Sequence, residues 1–547
     1  MTHAHSFLAV IGIAFSLLST NANSQIDLQK TLDRAENLRV NDQLDSALQF
    51  FQQALSHNNG ANAEVEAQAL CGILYAHSVA NHFDEGKIVL DQLRNLSKSL
   101  PKKSAEHVNI LNREGTFYYN QFDVENSNKA YRAAIDYAAK QQIATCNYLI
   151  ESHMRLGELG YAMNDFDLSQ LEYTNSMKMA IQLHGDEHWL VGECLINLGY
   201  CAEIKGNHFE AIPLLRRAID LLNSHYPHSR LLPRAYSRLA FNQYQQGDLT
   251  ASIVSYQEVI RLNQLLFGAK NTQNIWDFND IGLVYQEMGQ TTNSFDNFKL
   301  AEEYHTNALE LCKSLYSDRT DLQAWSYSML ANVWRDRPDL DLQRSLELHQ
   351  KAVELGNQFF ADDLSYTAYI HSNKAETLSA MKQWDDAEQA FLQSLALDES
   401  YYGKYDQYMS YTYHGLADMY FKKGDWQKCL NACDEGFACI SVQTNPDPLH
   451  LPIDTRVEFP GMFYELSYLK ARALHQGYLH NSDEDYLLAS LSHTEATIDF
   501  VGELRTEFES RGSQLLFGAK TFPLFEFSTH LALDAYEALN DKACYQK

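Results

Sequence analysis

The sequence predicts an all-α fold: a right-handed α-solenoid of about ten to eleven helical hairpins, followed by a C-terminal helical extension. Three observations carry this. Small residues recur at a nearly constant interval. Aliphatic and aromatic residues surround them at helical spacing. Glycine-bearing turns alternate with these runs.

The interval is read from Ala35, Gly72, Gly115, Gly157, Gly199, Ala240, Gly282, Ala331, Ala375 and Ala417. Each follows an apolar run and precedes a polar turn. Most spacings are 41 to 44 residues; the first is 37, and Gly282 to Ala331 is 49. An aliphatic residue precedes several of them (Leu156, Leu198, Leu239, Ile281, Leu330, Leu416), and an aromatic lies three residues on in others (Tyr75, Tyr118, Tyr285, Trp334, Tyr420). A turn follows, as in Lys205-Gly206-Asn207, Gln246-Gly247-Asp248, Met288-Gly289-Gln290 and Lys423-Gly424-Asp425. A second helix then carries its own pattern, as in Ala47/Phe51/Ala54, Ala211/Leu215/Ala218, Ser252/Tyr256/Val259 and Ala387/Phe391/Ser394.

Packing explains the pattern. Antiparallel helices approach to about 8–10 Å only where small side chains sit at the crossing. One hairpin cannot bury its apolar face, whereas a stack can. The 49-residue interval reads as a two-turn extension of one second helix, with Ala301 and Ala308 both suited to the crossing position.

Composition bounds the function. The 547 residues carry 43 Lys+Arg against 71 Asp+Glu, a net charge of −28. Like charges then repel nucleic acid and anionic membrane. Apolar residues at 45% suffice for large cores. The nine cysteines, an odd number, read as small buried hydrophobes at helix contacts.

Residues 1–24 read as a signal peptide, with a 12-residue apolar run from Phe7 to Leu18 and small Ala22 and Ser24 before Gln25. The amino-terminal region has His3 and His5 but no Lys or Arg. No later stretch has the length and apolarity of a membrane span, so an exported chain, periplasmic or extracellular, is expected. Residues 25–150 read as degenerate helical repeats and 151–442 as the regular array. Residues 443–461 form a proline-rich linker containing Pro446, Pro448, Pro452 and Pro460, and 462–547 form a helical connector.

The quoted small, aromatic and turn residues resemble the tetratricopeptide repeat (TPR) in order and spacing. The longer period is similar to that of kinesin light chains, as are the elements His184-Gly185-Asp186-Glu187-His188, Phe267-Gly268-Ala269-Lys270 and Tyr402-Gly403-Lys404-Tyr405 before new helices. The resemblance covers about 26–440. It implies a non-catalytic scaffold that binds proteins or peptides.

The tail has its own resemblance. Asn445-Pro446, Leu469-Lys470-Ala471-Arg472-Ala473-Leu474, Leu504-Arg505, Ser513-Gln514-Leu515-Leu516-Phe517, Lys520, Pro523 and Phe525-Glu526 look like the connector of bacterial TPR–CHAT proteins, in which a caspase-like peptidase follows the repeats. The peptidase's His and Cys motifs are missing from this sequence. Leu430-Asn431-Ala432-Cys433 looks like its Cys motif but falls on a repeat helix. The resemblance implies a CHAT peptidase partner in cis or trans. Two alternatives stand beside it: a truncated CHAT cysteine peptidase and the sensor region of a membrane histidine kinase.

No P-loop, GxGxxG, HExxH or GxSxG motif occurs, and no cofactor or metal is expected. His184 and His188 lie at an inter-helix turn and read as structural. The expected site is the concave groove lined by first helices. Positions six and three before each small residue, and one and four after it, give Tyr200, Arg234, Phe241, Tyr244, Trp276, Asn279, Trp325, Asn332, Arg335, Tyr369, Tyr411 and His414. Trp, Tyr and Arg dominate interface energetics. Asn279 and Asn332 are expected to hold an extended peptide by its backbone.

Overall fold

The computed structural model describes residues 28–39, 43–163, 165–316, 320–359, 364–440, 460–506 and 511–539. The expected signal peptide and nearly all of the proline-rich linker lie outside these residues. Among the described residues, regular structure is α-helix with one 3-10 turn and no strand.

By contact the chain divides into two compact units, Met1–Cys201 and Ala202–Lys547. The first contains α1 (28–39), α2 (Leu44–Asn58), α3 (Ala63–Val79), α4 (Phe83–Leu96), α5 (Glu106–Tyr119), α6 (Val124–Gln141), α7 (Asn147–Ala162) and α8 (Phe166–His184). Helix α9 (Trp189–Ile204) spans the division. The second unit holds α10 (His208–His225), α11 (Leu231–Gln245), α12 (Leu249–Phe267), α13 (Gln273–Thr292), α14 (Phe295–Leu315), α15 (Thr320–Asp336) and α16 (Leu342–Phe359). It continues with α17 (Leu364–Ala380), α18 (Trp384–Tyr402), α19 (Met409–Lys423), α20 (Trp426–Ile440), α21 (Pro460–Asn481), α22 (Glu484–Thr506) and α23 (Arg511–Leu539). Among the described residues, hairpins form between α5 and α6, α7 and α8, α11 and α12, α13 and α14, α15 and α16, α17 and α18, α19 and α20, and α21 and α22, and α23 follows them. Pro460 and Gly461, the end of the expected linker, already belong to α21; proline suits a first turn, where its missing N–H has no helical partner.

The crossings follow the small-residue rule. A Cβ on Gly115 of α5 would stand 2.7 Å from the Tyr131 ring of α6. One on Gly157 of α7 would stand 2.9 Å from Tyr173 of α8. Gly72 likewise abuts Phe51, and Gly415 abuts Phe391. Ala240, Ala331, Ala375 and Ala417 are fully buried. A serine adds a second tie between the two arms: Ser127 Oγ donates to the Gly115 carbonyl at 2.9 Å, Ser169 to Gly157 at 2.8 Å, and Ser252 to Ala240 at 2.8 Å.

The inter-repeat glycines have a backbone reason. Gly185, Gly268 and Gly403 cap α8, α12 and α18 with φ/ψ of 90/168, 85/170 and 90/179. That region is essentially closed to residues with a Cβ. The next second helix begins with a side-chain cap in several hairpins: Asp123, Asp165 and Asp248 each accept from a first-turn N–H.

The 49-residue interval resolves differently from the sequence reading. Helix α13 runs to Thr292, so Met288-Gly289-Gln290 is helix interior and the turn falls at Asn293, with φ 50. Gly289 packs against Phe298, and Gly282 against His305, which takes the aromatic place. Both arms of this hairpin are therefore lengthened, rather than the second helix alone. Ala301 and Ala308 are both fully buried, as two crossings require.

Of the described cysteines, Cys146 is half-buried and the other seven are buried; all are free thiols. Cys433 lies inside α20 with its side chain buried.

Candidate functional site

First helices of the second unit line one face: α13, α15, α17, α19 and α21 each touch the next in that series. This places most of the expected groove residues together. Trp276 on α13, Trp325 on α15, and Tyr366 and Tyr369 on α17 form one aromatic cluster. Ring centroids are 6.3 Å apart for Trp276–Trp325, 5.8 Å for Trp276–Tyr366, 5.4 Å for Trp325–Tyr366 and 5.0 Å for Trp325–Tyr369. All four rings are half-buried. Tilted and edge-to-face contacts of this kind contribute about 0.5–1.5 kcal/mol per pair beyond area burial. The Trp325 indole Nε1 is buried with no acceptor, a donor left open at the centre of the cluster.

A polar network borders it. Arg335 pairs with Asp336 and with Glu376 of α17, at 2.5 Å in each case. Asp336 Oδ2 accepts from Gln286 and Gln290 of α13, both at 2.7 Å. Three successive first helices are thereby tied. Burial opposes the Arg335 charge, but Asp336 and Glu376 outweigh it and hold its pKa above the ordinary value. Burial, then Glu376, pushes the Tyr369 hydroxyl up to about 12.

A second cluster closes the face. Tyr411 of α19 comes near Gln245 of α11, four hairpins earlier. Tyr244 of α11 comes near Glu287 of α13. Glu287 Oε1 accepts from Lys520 Nζ of α23 at 2.8 Å, and Glu465 of α21 lies 3.5 Å from the same ammonium. Burial alone would lower the Lys520 pKa; the two carboxylates reverse the shift. The same pairing holds the Glu287 carboxyl below its usual range against the effect of burial.

The remaining expected residues divide. Asn279 is only 1% exposed and fully engaged: its amide donates to the Ile275 carbonyl and Ser326 Oγ, both at 3.0 Å, and its oxygen meets His305 Nδ1 at 3.0 Å. It knits α13, α14 and α15 together, and no atom is left to grip a peptide. Asn332 is buried too, with its Oδ1 unpartnered. Arg234 is exposed, Phe241 lies edge-on to His208 at 6.4 Å, and His414 is half-buried. Tyr200 belongs to the first unit, where its ring lies 4.9 Å from Tyr161. Four residues on or beside this face escaped the sequence reading. Tyr366 lies nine residues before Ala375, outside the four positions used; Gln286 occupies the fourth position after Gly282; Glu287 and Lys520 are 233 residues apart.

His184 and His188 stack at 4.1 Å, and His184 Nε2 meets Asn147 Oδ1 at 2.6 Å. Among the described residues, no three His, Cys, Asp or Glu side chains come together as a metal site. No described helix is long and apolar enough to cross a membrane.

Comparison with known proteins agrees with this architecture. A tetratricopeptide-repeat family model matches residues 366–432, the two hairpins α17–α18 and α19–α20. Among solved structures, the apo form of RapI is similar at 12% identity and a TM-score of 0.51, covering 68% of this chain and 97% of that one. The apo form of the quorum sensor NprR from B. thuringiensis aligns at 11% identity and a TM-score of 0.49, covering 68% and 98%. No curated protein matches the sequence. The fold these findings define is an array of helical repeats, with a tetratricopeptide-repeat match over residues 366–432.

Proposed function

We propose that the chain is a non-catalytic scaffold that takes an extended peptide or protein segment against the first-helix face of its second unit. The Trp276–Trp325–Tyr366–Tyr369 cluster carries the reading, because it holds a buried indole N–H with no acceptor. A peptide carbonyl is the group that such a donor lacks, and half-buried aromatic walls supply binding area at low entropic cost. The test is a pull-down with Trp276→Ala combined with Trp325→Ala, folding being checked by circular dichroism. Loss of at least one partner supports the groove. An unchanged partner set makes the array a spacer.

Two finer readings belong to the same proposal. Residues 1–24 direct export, supported by their uncharged 12-residue apolar run; a mature N-terminus near Gln25 in an extract is the expected result. The partner is a CHAT-type peptidase whose access the repeats regulate, supported by the connector-like residues between Asn445 and Glu526. Co-purification of such a peptidase is the expected result.

A further inference from the structure

Helix α23 is apolar on two opposite faces. Its inner face carries Phe517, Leu524, Leu531 and Ala535, all buried. Phe517 and Leu524 share a core cluster with Tyr464 and Val501, and Leu531 and Ala535 share one with Leu487. The outer face carries Leu515 (62% exposed), Phe522 (57%), Phe525 (42%), Leu533 (40%) and Tyr536 (36%). At 3.6 residues per turn these five fall within an arc of about 80° and span about 32 Å. Leu515, Phe522, Thr529 and Tyr536 are spaced by seven, the seam of a helix meant to lie against another helix.

The charges beside the seam choose its occupant. Glu526 lies one turn from Phe522, Glu537 lies one turn from Leu533, and both are exposed. Lys520 is turned inward to Glu287 and Glu465. Asp534 is held by His475 at 2.8 Å. The rim therefore offers carboxylates to whatever lies on the seam. A second copy would bring its own Glu526 and Glu537 against them, and like charges across an interface are costly. An anionic membrane is disfavoured by the same carboxylates and by the net charge of −28.

We propose that the outer face of α23 is a docking surface for a basic amphipathic helix of another protein, received on Leu515, Phe522, Phe525, Leu533 and Tyr536. The partner's apolar stripe covers the seam, and its Lys or Arg flanks meet Glu526 and Glu537. This surface stands apart from the aromatic cluster of α13, α15 and α17 and does not depend on the groove reading.

The test uses the full chain and two synthetic helical peptides of about 22 residues, long enough to cover the seam. Both carry leucine at the seam positions; one has lysine flanks and the other glutamate. Binding is read by fluorescence anisotropy at physiological salt, and by sedimentation for self-association. The comparison protein carries Phe522→Ser with Phe525→Ser, which removes exposed apolar groups and leaves the charge unchanged. The expected result is saturable binding of the lysine peptide, at least tenfold weaker binding of the glutamate peptide, and at least tenfold loss in the variant. Equal binding of the two peptides, or lysine-peptide binding unchanged in the variant, overturns the proposal. So does a wild-type dimer that the variant converts to monomer, or variant-sensitive binding to vesicles of phosphatidylglycerol and phosphatidylcholine.

Discussion

Replacing Gly115 by alanine tests the crossing rule at one of its close approaches. The new Cβ would stand 2.7 Å from both Cε1 and Cζ of Tyr131 and 2.9 Å from Cδ1. The ring has nowhere to go: Tyr131 is 2% exposed, and its hydroxyl lies 3.0 Å from Thr116 Oγ1. Overpacking of this kind costs about 1–3 kcal/mol. Alanine in a helix interior returns up to about 1 kcal/mol relative to glycine. At the middle of the first range, about 2 kcal/mol, against a return of about 1 kcal/mol, the net expectation is a loss of about 1 kcal/mol, or roughly fivefold in the local opening equilibrium. Gly502 of α22 is the control. It is exposed and meets nothing within 4 Å, so Gly502→Ala should gain about 0.5–1 kcal/mol. The two substitutions are chemically identical and should differ in sign. Native-state hydrogen exchange with mass spectrometry reads each locally, on peptides from α5 and α6 or from α22. A Gly115→Ala protein as stable as wild type in α5 and α6 would refute the claim that glycine is there for close approach.

Two more perturbations follow from the second unit. Lys520→Met removes the cation between Glu287 and Glu465 and leaves Glu287 half-buried without it; faster hydrogen exchange in α23 and α13 is expected, corresponding to about 1–3 kcal/mol. Unchanged exchange would show that the ion pair does not fasten α23. The pH response divides by sign. Burial lowers His305 to about 3 and His371 to about 4, so these groups stabilise the fold above the ordinary value of 6.5 and lose that contribution as the pH falls. Burial, reinforced by Asp280, raises Asp277 to about 8 from 3.8, so its contribution is full in acid and is lost as the pH rises through 8. The two effects oppose each other between pH 5 and 7. Asp277→Asn should expose the histidine effect: the stability difference between pH 7 and pH 5, read by urea denaturation, should grow by about 2–3 kcal/mol in favour of pH 7. An unchanged difference would mean that Asp277 ionises normally in the folded chain.

The hairpins were legible because close crossings leave a one-letter trace. Gly115, Gly157 and Gly282 could be picked out before any contact was known, and each abuts a ring. The inter-repeat glycines were legible as a recurrence, and their reason, a φ near +90 with extended ψ, emerged with the backbone. Met288-Gly289-Gln290 misled because glycine serves both turns and crossings. A fixed offset from Gly282 favoured the turn, and only Phe298 packed on Gly289 decides for the helix. Asn279 misled for a different reason. Helical position says which way a side chain leaves its helix, but not whether His305 and Ser326 will meet it there. The contact of Lys520 with Glu287 depends on the summed rotation of many hairpins, to which no local pattern is sensitive.

Photo-cross-linking tests the central functional claim most directly. A benzophenone amino acid is placed at Trp325 in the aromatic cluster and, in a second protein, at exposed Leu392 of the second helix α18. Each protein is irradiated in an extract, and adducts are identified by mass spectrometry. Peptide adducts at position 325 that are missing at position 392 are the predicted result. Adducts at 392 with none at 325 would contradict a ligand-bearing first-helix face.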